Sequence, residues 1–336
     1  MPFDEYMALC LYDAGEGYFT RGVVRPGMGS DFVTSPEVSP WFGKLLGRWA
    51  MSVAAGSDAV LVEIGSGAGT LLAPLVEEVG DSFASVFAVE VSESARERTS
   101  SSVPSATAVA DLANIPQGGR AVVVVNEVLD NLPARLVERI DGRWMEHHVV
   151  ARGEALLLEA FPAKAELAGW CDRRLADAPD RTLLAAQFEV EHWISGLLDH
   201  FARVDACIID YGGTTATLAG RRRGEVVRTY RRQRAGFDAL AEPGETDITV
   251  DVNSDVLRRV VEELGGRVAM TDQASFLNSY GADAAMRDLI DRSHALARSG
   301  DVMGQLEARS EATDLKALVD PSGFGGFSVF LISAGT

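Results

Sequence analysis

From residue 59 onward, short apolar runs alternate with longer stretches of mixed polarity. Val60 to Ile64, Val86 to Glu90, Ala106 to Ala110, Val122 to Asn126 and Ala206 to Asp210 read as strands, and the segments between them as helices. Strands separated by helices make βαβ units, so the pattern predicts an α/β chain on a mostly parallel, twisted sheet with helices on both faces. The run Val122-Val123-Val124-Val125 is apolar without alternation. A strand covered on both faces has that character, which places this one mid-sheet.

The flanks and one internal block break the rhythm. Residues 3 to about 50 carry Tyr6, Leu9 and Cys10, a Gly/Asp-rich stretch at 12–17, and a helical run from Trp41 through Leu45 and Leu46 to Trp49. An N-terminal helical segment over 1–55 is the expectation. Leu136 to Ile140 and Trp144 to Val150 flank Asp141-Gly142, a hairpin turn, and 164–203 reads as helices. Residues 136–203 are therefore expected as an inserted subdomain, interrupting a sheet domain made of 56–135 and 204–336. Later come a hairpin-like piece at Glu225 to Arg231, a helix Asp255 to Leu264 closed by Gly265-Gly266, a strand Arg267 to Thr271, helices to about Leu318, and a last strand Phe327 to Ile332.

Composition narrows the function classes. The 336 residues are 47% hydrophobic and 24% charged, an ordinary globular balance. With 49 acidic against 31 basic residues the formal charge is −18, which disfavours general nucleic-acid binding and anionic membranes. No apolar run nears the roughly 20 residues of a membrane span, and the start MPFDEYMALC lacks a basic or Arg-rich leader, so the cytoplasm is the expected compartment. Cys10, Cys171 and Cys207 are far apart, and the histidines (His147, His148, His192, His200, His294) have no ligand spacing, so neither a disulfide framework nor a metal site is expected.

The richest stretch is Leu61-Val62-Glu63-Ile64-Gly65-Ser66-Gly67-Ala68-Gly69-Thr70, an apolar strand followed by three glycines at alternate positions. Glycine serves where the chain turns with positive φ and where backbone must approach a ligand. A dinucleotide fingerprint needs Gly or Ala where Thr70 stands; GxGxG with Glu63 two residues ahead favours S-adenosylmethionine instead. The next strand ends in Glu90-Val91, placing an acid for the ribose hydroxyls. Asp111-Leu112 then meets the adenine, and Asn126-Glu127 stands at the mouth of the cleft. All four features fall at carboxyl ends of strands, where open α/β sheets bind ligands.

Several further stretches resemble one family, the MidA-like class I methyltransferases. They are Leu11-Tyr12-Asp13 with Gly17-Tyr18-Phe19, Asp31 through Pro40 with Phe42-Gly43, Asn126-Glu127-Val128-Leu129-Asp130-Asn131-Leu132-Pro133, Ile209-Asp210-Tyr211-Gly212, and Tyr230-Arg231-Arg232 leading to Pro243 through Thr249. Ser30 departs from the family glycine, and the ending Gly323 through Phe327 matches loosely. The resemblance implies a Rossmann-like methyltransferase domain whose N-terminal segment folds over the cofactor, with Phe32, Thr34, Glu37 and Ser39 beside it. Mitochondrial members of the family methylate an arginine on a core subunit of respiratory complex I and support its assembly. An acceptor arginine is a permanent cation that carboxylates can grip. Glu127 and Asp130, with Asp210, are the catalytic candidates; Asp130 also reads as a helix cap, and Asp210-Tyr211 as a strand-end turn.

A small-molecule O- or N-methyltransferase fits the same scaffold, and so does a non-catalytic assembly factor. A homodimer is left open. A closed aromatic pocket of a few hundred Å³ would favour the small molecule, an open acidic groove a protein arginine. Seven arginines between Arg221 and Arg234 run against the acidic balance and could dock an acidic partner or RNA; with Tyr230-Arg231-Arg232 in the family resemblance, a structural or partner-docking role is favoured over nucleic-acid binding, beside a merely solvated hairpin.

Overall fold

The computed structural model describes residues 1–20, 34–54, 58–231, 234–236 and 238–335. It opens with helices α1 (Phe3–Tyr12), α2 (Ser35–Val38) and α3 (Trp41–Ala54). Alternation then sets in: β1 (Val60–Ile64), α4 (Leu72–Val79), β2 (Ser85–Val89), α5 (Glu93–Ser102), β3 (Ala106–Val109) and β4 (Arg120–Asn126). The middle block holds β5 (Arg135–Ile140), β6 (Arg143–Arg152), β7 (Ala155–Pro162), α6 (Ala165–Arg174), β8 (Leu183–Ala186) and α7 (Phe188–His200). There follow β9 (Arg203–Asp210), β10 (Gly212–Gly213), α8 (Thr215–Ala219), β11 (Val227–Arg231), β12 (Arg234–Gly236), β13 (Asp247–Val250) and β14 (Val252–Asn253). The chain closes with α9 (Ser254–Glu263), β15 (Arg267–Asp272), α10 (Gln273–Ser279), α11 (Ala282–Ser299), α12 (Val302–Leu318) and β16 (Ser328–Gly335).

One seven-stranded sheet runs β15-β16-β9-β4-β1-β2-β3. Its strands are parallel except β16, which pairs antiparallel with both β9 and β15. The valine run lies between β1 and β9, and all four side chains are fully buried. Alternation sorts them: Val123 and Val125 pack with Ile194 and Leu197 of α7 and with α9, whereas Val122 and Val124 pack with α3, α4 and α10. Burying one such side chain is worth about 1.5–3 kcal/mol, so both helical layers are anchored on this strand.

A second sheet, β7-β6-β5-β8, is antiparallel, with Asp141 and Gly142 at positive φ in the expected hairpin turn. The pattern reading missed β8: Leu183-Leu184-Ala185-Ala186 is a four-residue run of good helix formers, and pairing with β5 overrides that preference. Helix α7 feeds directly into β9 and belongs to the main sheet's core. A third core joins α1, β5 and β6 to Val227, Ile248 and Val250 of the small β12-β11-β13 sheet. The N-terminal segment is thus divided between two layers, α1 in this third core and α3 against α4 on the main sheet.

Candidate active site

A cavity of roughly 1210 Å³ opens at the carboxyl ends of β1 to β4. Its floor is the turn after β1, where Gly65, Gly67 and Gly69 all have positive φ. Their reasons differ. A side chain on Gly65 would meet Val128 at 2.4 Å, and one on Gly69 would meet Ser102 of α5 at 2.9 Å. Gly67 has no atom within 4 Å of its Cβ position and lines the cavity, so only its backbone conformation and an incoming ligand constrain it. Gly69, expected beside the cofactor, does not itself line the cavity; its place in the turn lets the turn pack on α5.

Glu90 is held from both sides, accepting the N–H of Gly67 on Oε2 at 2.9 Å and that of Ser92 on Oε1 at 2.8 Å. The carboxylate is fixed before any ligand arrives. Glu63 lies 3% exposed beneath the turn, its Oε2 without a partner among the described residues, and burial, then the charge of Glu90, lifts its carboxyl well above the usual range. Asn126 also lines the cavity, and its Oδ1 has no partner among the described residues. Buried acceptors of this kind can take donors from a ligand. Asp111 and Leu112 complete the far end, Asp111 accepting the Ala113 N–H at 2.7 Å, and half-exposed Val91 stands at the rim.

Glu127 follows β4 with φ +51°, an uncommon value for a residue with a side chain. Its own N–H is tied to the Ile209 carbonyl at 2.9 Å, and Asn126 Nδ2 donates to its Oε1 at 3.1 Å. Burial, reinforced by the charge of Asp130, pushes its carboxyl up to about 8. The two other acids of the expected catalytic set, Asp130 and Asp210, lie outside the cavity wall. Asp210, fully buried, accepts the N–H groups of Leu129, Asp130 and Tyr211, so it clamps the loop after β4. Asp130 is 2% exposed and accepts the Tyr211 hydroxyl.

On the N-terminal side Thr34 and Glu37 line the cavity, joined by a capping box in which the Thr34 N–H donates to Glu37 at 3.0 Å. Ser39 does not reach it; its hydroxyl accepts the Trp41 N–H at the start of α3. Phe32 lies outside the described residues. Pattern reading missed the upper wall, where Tyr12, Tyr18 and Phe19 come from α1 and its following loop, Trp193 and His200 from α7, and Glu245 from the loop before β13. Tyr12 and Tyr18-Phe19 stood in the motif blocks; α7 carried no signal, having been read as part of an insertion. The arginine strip is largely consumed inside the fold: Arg221 and Arg228 pair with Asp251, Arg223 with Glu138, and Arg231 with Glu242.

Comparison with known proteins adds to this geometry. A family model described as "Putative S-adenosyl-L-methionine-dependent methyltransferase" matches residues 45–271. The chain is 28% identical to the Drosophila melanogaster "Protein arginine methyltransferase NDUFAF7 homolog, mitochondrial", over 98% of this chain and 80% of that one. It is 27% identical to the human protein arginine methyltransferase NDUFAF7, over 86% and 72%. A crystal structure from Burkholderia thailandensis bound to S-adenosyl-homocysteine superposes with a TM-score of 0.83 at 27% identity, covering 99% of this chain and 87% of that one. The curated relatives are mitochondrial proteins, which overturns the expectation of a cytoplasmic chain: the character of the first residues does not carry a compartment. Among the described residues no three His, Cys, Asp or Glu side chains gather as a metal site requires.

Proposed function

Because the chain belongs to this family of S-adenosyl-L-methionine-dependent methyltransferases, we propose that the acceptor of its methyl group is the guanidinium of a protein arginine, held by Glu127. The enzyme class and the cofactor follow from the family and from the S-adenosyl-homocysteine-bound neighbour. The residues fit that cofactor. Glu90 offers a prearranged carboxylate for two ribose hydroxyls, and the unpaired acceptors of Glu63 and Asn126 suit an ammonium and further donors. Cofactor-binding roles for Thr34, Glu37, Gly65, Gly67, Val91, Asp111 and Leu112 agree with their places in the wall.

When bound, the cofactor supplies a methyl group on a sulfonium, and displacement from it requires nucleophile, carbon and sulfur in line. The observation that carries the acceptor reading is Glu127, a half-buried carboxyl in the cavity wall next to the β1 turn. A carboxylate there can grip one side of a guanidinium and leave the other nitrogen to react. That nitrogen gives up one proton as it gains the methyl group, and a carboxylate whose proton affinity burial has raised is suited to take it. The names of the curated relatives point the same way.

The test is a set of otherwise identical peptides carrying Arg, Lys or Gln, offered with methyl-labelled cofactor. Label should enter the Arg peptides alone; equal labelling of Lys peptides, or label in small molecules only, would overturn the reading. Two binding predictions accompany it. Glu90→Ala should weaken cofactor binding by about 1.5–3 kcal/mol, the range for hydrogen bonds to charged groups, as read by titration calorimetry. Gly67→Val places a branched side chain at φ +52° facing open cavity, and should weaken binding about tenfold or more while circular dichroism stays native. Equal loss of fold would make Gly67 a folding glycine.

A further inference from the structure

Behind Glu127 lies a chain of buried and half-buried side chains that does not line the cavity. On β11 the Arg228 guanidinium sits over the Tyr211 ring, 4.2 Å from its centre, and is anchored by Asp251, which Arg221 also grips at 2.8 Å. The Tyr211 hydroxyl donates to Asp130 Oδ2, and Asp130 Oδ1 has no hydrogen-bond partner among the described residues. We propose that Arg228, through Tyr211 and Asp130, is a positioning residue that sets the charge Glu127 presents to the acceptor. The inference rests on Glu127 being the acceptor's carboxylate.

The groups coupled to Asp130 come from every element around it: Glu127 in its own loop, Asp210 and Tyr211 from the end of β9, Arg228 and Tyr230 from β11, and Tyr12 from α1, while Asp247 of β13 acts on Glu127. Two buried carboxyls, Asp130 and Asp210, and the half-buried Glu127 oppose one another's ionisation. Burial lifts the Asp130 carboxyl to about 6, and the Tyr211 hydroxyl and the charge of Arg228, the cation of the set, hold it from rising further. An anionic Asp130 raises the cost of ionising Glu127 while the cleft is empty. An entering cation offsets that cost, so Glu127 releases its proton to solvent and becomes the anionic grip only when a cationic acceptor is in place. A neutral acceptor gains nothing from this arrangement, which makes the relay a device for charge selection.

The experiment reads the free protein, with no acceptor, so it stands apart from the peptide test. The full chain, saturated with S-adenosylhomocysteine and carrying carboxyl-¹³C aspartate and glutamate, is titrated by NMR, with Asp130→Asn and Glu127→Gln identifying the two signals. In Arg228→Gln the Asp130 midpoint should rise by about one pH unit or more and the Glu127 midpoint should fall. Arg228→Lys should restore part of both shifts. Tyr211→Phe, which removes only the hydroxyl, should move both signals in the same senses as Arg228→Gln and carries the test if that variant does not fold. Unmoved midpoints, or midpoints that shift together in one direction, would overturn the relay, because a merely structural change has no reason to drive the two acids apart.

Discussion

Replacing Glu127 by Gln is expected to lower turnover on an arginine-containing acceptor by about 10² or more, while cofactor affinity stays within a few-fold of the natural chain. Gln keeps the shape and much of the hydrogen bonding, so what is lost is the charge that grips a cation and the basic oxygen that takes its proton. The same substitution has a signature in stability. A carboxyl whose folded-state value stands at about 8, above the ordinary 4.5, holds its proton in the folded chain after the unfolded chain has released it. Stability is therefore lost as pH rises from about 4.5 towards 8. Glu127→Gln removes that loss, so the variant should melt higher than the natural chain at pH 8, with the gap closing near pH 5. Reduced turnover in a more stable protein separates a functional role from damage to the fold. Unchanged turnover removes Glu127 from the mechanism, and lost cofactor binding reassigns it to the cofactor.

Asp210→Ala is expected to destabilise the chain by about 3 kcal/mol or more, read from the urea midpoint, at ~1 kcal/mol or more for each N–H it strands. Those N–H groups belong to Leu129, Asp130 and Tyr211. Asp210→Asn keeps an oxygen for the paired donors of the loop after β4 and should retain most of the stability, with turnover within a few-fold. A hundredfold loss of turnover in a fully stable Asp210→Asn chain would return Asp210 to the catalytic group.

The main sheet was legible because its strands are apolar runs of ordinary strand length, and the valine run announced the central strand. The glycine turn, Glu63 near the end of β1 and Glu90 after β2 were legible for a related reason: in an open α/β sheet, strand ends in sequence are strand ends in space. What sequence position does not give is the direction of a side chain. Asp130 and Asp210 stand beside strand ends as Glu127 does, yet they turn inward to backbone N–H groups and a tyrosine hydroxyl, while Glu127, at positive φ, turns to the cavity. Trp193 and His200 were hidden because a helix assigned to an insertion packs on the main sheet and contributes one edge of the wall. A structural role for the arginine strip was legible, but its partners were not, because Glu138, Glu242 and Asp251 lie on other segments that only the tertiary fold brings close.

The account turns on the cofactor's reacting end facing the Glu127 wall with room for an acceptor in front of it, and a crystal structure with S-adenosyl-homocysteine tests that directly. The predicted result is ribose hydroxyls on Glu90, the amino acid end near Glu63 and the β1 turn, and the sulfur facing an open space bounded by Glu127, Tyr12 and Asn131. A sulfur turned against a closed wall, or Glu127 bonded to the cofactor's own amino group, would contradict it.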